Sequence, residues 1–243
     1  GVSLAIFPMV PQEMAVDLLL FGFITAVSIA MSSRLFPLTF RMQLPQPRGL
    51  VIAAGLLAGG VALTILNGLP INAAGSSALA ALATACYAAG ILQGAWSVRV
   101  FHARKRIPDT QTPHRIWEDP AAVGVFFAYV WAVVAALFLL LFALQQAGMA
   151  VAVHLDAKSL ARHAAGAGFM TLLIISVGWK MLPGFGGSRP QGRGWMWAAV
   201  LLANAAALLR ILPVLLPGGP APKQSWSVIC FPFAGLAGLA SIL

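Results

Sequence analysis

The sequence predicts an all-α fold, a polytopic membrane helix bundle of about seven transmembrane helices with a parallel internal repeat. Three observations predict it. Of 243 residues, 60% are hydrophobic and only 9% charged, and the mean hydropathy is +0.90, far more apolar than a soluble domain tolerates. The apolar runs recur at about the 20-residue length that a helix needs to cross hydrocarbon with its backbone groups paired. Two of these runs also echo each other.

Taken in order, the spans fall at about 14 to 36, 49 to 67, 76 to 99, 120 to 145, 157 to 182, 194 to 213 and 225 to 243. Pro- and Gly-bearing joints such as "PQPRG", "NGLPINAAG" and "PGGPAPK" separate them, because these residues punctuate regular structure. Asp156 is placed to cap the fifth helix, which then begins at Ala157. The opening "GVSLAIFPMV" has no basic flank and is broken by Pro8, so it is expected at the interface and not as a signal peptide or further span. Residues 1 to 243 form one integral membrane domain on this reading.

The basic residues set an orientation. Arg34, Arg41 and Arg48 follow the first span; Arg99, Arg104, Lys105, Arg106 and Arg115 follow the third; Lys180, Arg189 and Arg193 follow the fifth. Those eleven of the fifteen Lys and Arg lie on one side, against Lys158, Arg162, Arg210 and Lys223 on the other. The excess of positive charge belongs inside, so the amino terminus is expected outside and the carboxyl terminus in the cytoplasm. Most of the tryptophans, Trp96, Trp117, Trp179, Trp195 and Trp197, then gather near the cytoplasmic interface. The net charge of +9 is thus topological. It is scattered between apolar runs instead of forming the single patch that nucleic acid requires, so a nucleic-acid partner is excluded.

"GFITAVSIAMSSRLFPLTF" from residue 22 and "GFMTLLIISVGWKMLPGFG" from residue 168 align without a gap at an offset of 168 − 22 = 146. They share Gly22/Gly168, Phe23/Phe169, Thr25/Thr171, Ile29/Ile175 and Pro37/Pro183, with Arg34 opposite Lys180. Cys86 and Cys230 stand at nearly the same separation, 230 − 86 = 144, and both read as small buried thiols. Four crossings separate the two copies, so they point the same way. The expected repeat units are about 14 to 99, helices one to three, and 157 to 243, helices five to seven. The cytoplasmic loop 99 to 119 and the helix 120 to 145 link them, and a quasi-twofold axis along the membrane normal follows. Pro37 and Pro183 are expected to end their helices, since proline lacks a backbone donor.

"ARHAAGAGFMTLLIISVGWKMLPGFGG", residues 161 to 187, and "LLLFGFITAVSIAMSSRLFPLTF", residues 18 to 40, resemble the signature helices of the NnrS family, bacterial multi-pass membrane proteins that contain haem and copper and are linked to nitric oxide metabolism. The resemblance implies a haem or copper site at the outer ends of these helices. His163 is then the cofactor-binding and metal residue, with His154 as its partner. Asp17 stands where the second copy has His163, 163 − 146 = 17, and on this view supports the ring as a carboxylate beyond the ligand does.

Each of these residues has a plainer alternative. His163 could be an interfacial histidine hydrogen-bonded to a neighbouring helix, and Asp17 a helix-start residue facing water. Arg34 and Lys180 could hold haem propionates or simply reach the interface. Met9, Met14 and Met149 could offer sulfur to copper or serve as core filler. His102 and His114 lie in the basic cytoplasmic connection, whose Arg104, Lys105 and Arg106 are expected to touch anionic headgroups or a partner. Gly55 with Gly59, and Gly90 with Gly94, are small-residue pairs that allow close helix approach, within the bundle or against another membrane subunit.

No HExxH, GxSxG, phosphate-binding glycine loop or CxxC occurs, and six acidic residues supply no acid–base pair. Classical hydrolytic and nucleotide chemistry are thereby disfavoured, and the residues lean against an enzyme without deciding the question. Three classes remain open. One is a haem- or copper-binding membrane protein of nitric-oxide-related or respiratory metabolism; another is a cofactor-poor structural or accessory subunit of a larger membrane complex; the third, less favoured by the residues, is a carrier of a small apolar solute. The lipid bilayer is a partner in all three, and other membrane subunits are expected.

Overall fold

In the computed structural model, residues 11–69, 77–102, 118–149, 156–185 and 192–215 are described. They form six helices long and apolar enough to cross a membrane, and among them there is no strand. In chain order these are α1 (Gln12–Thr39), α2 (Pro47–Gly68), α3 (Ser77–Val98), α4 (Pro120–Gln146), α5 (Ala157–Pro183) and α6 (Arg193–Leu215). The expected seventh span, 225 to 243, lies outside the described residues, as do Met9, the loop carrying Arg104, Lys105, Arg106 and His114, His154, and Cys230.

The chain builds the starts of its helices from local chemistry. Asp156 caps α5, its carboxylate accepting from Ser159 N at 3.0 Å, and Asp119 caps α4 by accepting from Ala121 N at 3.2 Å. Proline occupies the first position of both α2 and α4, where its missing N–H would have had no intrahelical partner anyway. Pro37 and Pro183 do not end their helices as expected. Both lie inside regular helix, which runs on to Thr39 and Phe185. Proline removes one donor, but the donors after it still reach back, as Phe40 N does to Phe36 O at 3.0 Å.

The helix at the centre of the packing is α4. Its buried face carries Ala121, Ala122, Gly124, Ala128, Ala132, Ala135 and Ala136, interleaved with Tyr129 and Trp131. In lipid there is no hydrophobic drive between helices, so close van der Waals approach through small residues does the holding. Tyr129 is edge-on to Phe36 of α1, centroids 5.8 Å apart, and to Phe169 of α5 at 5.3 Å. One aromatic stack thus joins three helices. Trp131 donates Nε1–H to Asn204 Oδ1 of α6 at 2.9 Å, and Asn204 in turn donates to Val200 O at 2.8 Å. The mid-helix Asn204 is therefore satisfied across a helix pair.

Of the small-residue pairs, Gly90 and Gly94 face inward, where an added Cβ would press on Leu57 and on Ile29. Gly55 and Gly59 have open space around them.

Helices α1 and α5 each contain a wider, π-helical segment, Leu18–Ile24 and Ala164–Met170. These segments stand at the same offset as the sequence echo, 164 − 18 = 146. Gly22 and Gly168 lie within them, and an added Cβ would meet Val61 of α2 at the first and the Trp131 ring of α4 at the second. Gly168→Val should therefore displace Trp131 from Asn204 and destabilise the bundle by about 1–3 kcal/mol, the usual range for overpacking. Gly55→Ala, in the middle of a helix and on an open face, should be neutral or stabilising by up to about 1 kcal/mol. Thermal unfolding of both variants in detergent, alongside the parent, checks the contrast.

Candidate functional site

The candidate residues gather where α1 and α5 begin. Glu13 and Asp17 are four residues apart on α1, and Lys158 and Arg162 are four apart on α5, so each pair stands on one helix face. The two helices run in the same direction, and the acids meet the bases. Lys158 Nζ lies 2.8 Å from Glu13 Oε2 and 3.1 Å from Asp17 Oδ2; Arg162 Nη2 lies 2.7 Å from Asp17 Oδ1. Arg162 Nε also donates to Asp17 Oδ1 at 2.8 Å, and Nη2 to Glu13 O at 3.0 Å. One guanidinium fork thus holds both a side chain and a backbone carbonyl of α1.

Deeper in the bundle the same two helices meet again, where Ser28 Oγ donates weakly to Met170 Sδ at 3.5 Å. On the opposite face, Lys180 pairs with the α4 cap Asp119 at 2.9 Å, and Arg193 donates to the carbonyl of Glu118. Arg34 is exposed. Lys180 is thus held by a carboxylate, which gives it a role without a haem propionate.

Asp17 and His163 occupy equivalent local positions, each the residue immediately before a wide segment. At the far end of each segment a threonine hydroxyl closes the turn: Thr25 Oγ1 donates to Leu20 O at 2.7 Å and Thr171 Oγ1 to Gly166 O at 3.1 Å. Each bond spans five residues, and the two stand at the same offset, 171 − 25 = 146. A π-type turn misaligns the carbonyls of the preceding turn, and in hydrocarbon a hydroxyl is the nearest donor that can satisfy one.

The chemistry of the two positions differs. Asp17 is engaged by Lys158 and Arg162, and the structure gives it no contact with His163. His163 is half-buried, has no hydrogen-bond partner among the described residues, and feels the charges of Arg210 on α6 and of Asp156. Among the described residues no group of three or more His, Cys, Asp or Glu side chains is placed to hold a metal ion. An uncommitted imidazole fits one ligand position on haem iron or copper; the described residues fit no complete set, and His154 lies outside them. Met14 packs against Gly68, and Met149 is exposed. His102, on the opposite face, stacks edge-on to Trp96 at 5.4 Å.

Lys158, Arg162 and Glu13 are the residues that sequence reasoning missed here. The signal was present, since an acid pair and a base pair share i, i+4 spacing 145 residues apart, 158 − 13 and 162 − 17. What sequence lacked was the juxtaposition of α1 with α5.

A wall of α-helices with apolar outer faces, pinned by ion pairs at its ends and by hydrogen bonds within, defines a polytopic helical membrane protein. The profile of the NnrS protein family matches residues 2–241. The chain belongs to the NnrS family. No curated protein and no solved structure matches it.

The ion layer is partly shielded, with Asp17 side-chain exposure at 18% and Arg162 at 23%. In a double-mutant cycle of Asp17→Asn and Arg162→Gln, a coupling of about 1–3 kcal/mol is expected, between the surface and buried limits for ion pairs. Unfolding of the four proteins in detergent measures it, and the coupling should persist at high salt.

Proposed function

We propose that this NnrS family protein serves nitric-oxide-related metabolism by holding haem or copper at the face where α1 and α5 begin, with His163 as an imidazole ligand. The observation that carries this reading is the state of His163: half-buried, unpartnered among the described residues, and set at the mouth of a wide turn, a feature often found at functional sites. His154, beyond the described residues, is the proposed second donor. Asp17, held by Lys158 and Arg162, acts by fixing α1 against the helix that carries His163. A bound haem or copper would supply a metal to which nitric oxide can coordinate. The chain's own contribution is to position the ring and exclude bulk water from it.

A second reading is favoured by the engagement of Asp17 with two cations. The position equivalent to His163 is given over to structure, as expected of a cofactor-poor accessory subunit in a larger membrane complex. Protein purified from cells supplied with haem and copper separates the two. A Soret band or stoichiometric copper that disappears in His163→Ala, while the variant unfolds at the parent temperature, supports the first. A folded, colourless and metal-free parent establishes the second.

We further propose that the two wide-turn helices descend from one duplicated unit, supported by the common offset of the segments, their threonine bonds and their glycines. The face where α1 and α5 begin is assigned to the outside of a bacterial inner membrane. The basic connection with Arg104, Lys105 and Arg106 then lies against anionic headgroups of the inner leaflet. A cysteine introduced at position 105 should be labelled by an impermeant maleimide only after the cells are opened, and one at position 13 in intact spheroplasts. The reverse pattern inverts the orientation.

A further inference from the structure

Next to the ion layer, the helices border a partly open cavity of about 320 Å³, whose lining includes Asp17 and Lys158 but not His163. Its floor is apolar, formed by Phe21, the Tyr87 ring and Leu139, all buried. Phe21 and Tyr87 stand 6.1 Å apart between centroids, tilted by 40°, and Phe142 lines the same space. The rim is polar, and Asn67, Thr84 and Gln146 share it with Glu13, Asp17 and Lys158. The combination is that of a small-molecule pocket, mostly apolar with a few convergent polar groups.

The hydrogen bonds around the cavity show what it lacks. Thr64 has one hydroxyl proton and directs it to Gly60 O at 2.8 Å, so in its 3.2 Å contact with Tyr87 the phenol is the donor. Thr84 shares its one proton between Ala80 O at 2.8 Å and Gln146 Oε1 at 3.2 Å, which leaves Gln146 Oε1 with acceptor capacity unfilled. Asn67 Oδ1 is buried and accepts no hydrogen bond. A buried acceptor without a donor costs about 1–3 kcal/mol, so a ligand that brings one removes that cost.

Charge narrows the class. The two carboxylates at the rim are matched by Lys158 and Arg162. Glu13 at the open edge is largely exposed, but Asp17 and Lys158 are mostly shielded, so a cation or an anion would bring an unmatched charge against them, whereas a neutral molecule leaves their balance intact. Lys158 already lies over the Phe142 ring at 5.8 Å, in the position an organic cation would seek.

We propose that this cavity binds a neutral, membrane-soluble hydroxyl donor with a planar ring, a phenol or hydroquinone head, its O–H on Asn67 Oδ1 and its ring among Phe21, Tyr87 and Phe142. Three aromatic walls favour a ring over an aliphatic chain, since offset or edge-on ring contacts add to simple burial. The cavity's size admits a substituted six-membered ring. The inference is independent of any metal at His163.

The full-length protein in detergent, titrated anaerobically with durohydroquinone and followed by calorimetry, tests it. Saturable one-to-one binding is expected, weakened at least tenfold in Asn67→Leu and partly restored in Asn67→Gln, which keeps an acceptor. Ala80→Trp, which fills the cavity, should abolish it, with circular dichroism and thermal unfolding showing all three variants folded. The dimethyl ether of the same ring, which has no donor, should bind at least tenfold more weakly. His163→Ala should bind as the parent does, so loss of a metal site and loss of this site are separately visible. Equal affinity for the ether, an unaffected Asn67→Leu, or no saturable binding to the folded parent would each overturn the proposal, the last leaving a hydrated cavity in its place.

Discussion

Every backbone N–H and C=O within hydrocarbon must find its partner inside the protein, and the rest of this structure follows from that requirement. It makes each apolar run a helix. It also explains why departures from regular helix are few and repaired. Where α1 and α5 widen, the disturbed carbonyls are those of Leu20 and Gly166, and a threonine hydroxyl five residues on takes each of them. Where Pro37 interrupts the ladder of donors, Phe40 N and Met42 N both reach back to Phe36 O at the helix end. A wide turn without its threonine would leave a polar atom facing side chains that cannot bond to it.

Helices satisfied in this way need another force to hold them together, and here the forces are layered. Small residues on α4 bring backbones close at the centre, the Phe36–Tyr129–Phe169 stack joins three helices through ring edges, and the Trp131–Asn204 bond ties α4 to α6. Charged contacts occupy the ends. Glu13 and Asp17 meet Lys158 and Arg162 on one face, and Asp119 meets Lys180 on the other. This distribution is what dielectric dictates: an ion pair near the interface keeps part of its hydration, while a midplane charge would lose nearly all of it.

The two wide turns give the bundle two places of the same backbone geometry and different chemistry. At one, a carboxylate is drawn into a network with two cations and becomes a clamp between helices. At the other, an imidazole is left with nothing among the described residues to bond. An unfilled polar group in such a setting has a cost that a ligand can relieve, and the same reasoning applies to Asn67 Oδ1 in the neighbouring cavity.

Much of this was legible from the residues alone. Length and hydropathy determine a helical span wherever about 20 apolar residues run together, because lipid leaves the backbone no alternative. Asp156 before "AKSLARH" marked the start of α5 correctly, since capping is a local affair between a side chain and the N–H groups that follow it. The offset of 146 between the echoing helices also came from sequence. The wide turns were not legible, although their threonines were in view, because the close approach of Val61 to Gly22 and of Trp131 to Gly168 is made by other helices. Nor was the partner of Asp17. Sequence offered His163 at the matching repeat position, whereas the side-by-side packing of α1 and α5 put Lys158 and Arg162 there instead. Composition and periodicity thus determined what each segment must be, through the local requirement for paired backbone groups. Only the tertiary structure decided which side chains face one another, because helix rotation and neighbour choice are set by packing between segments far apart in the chain.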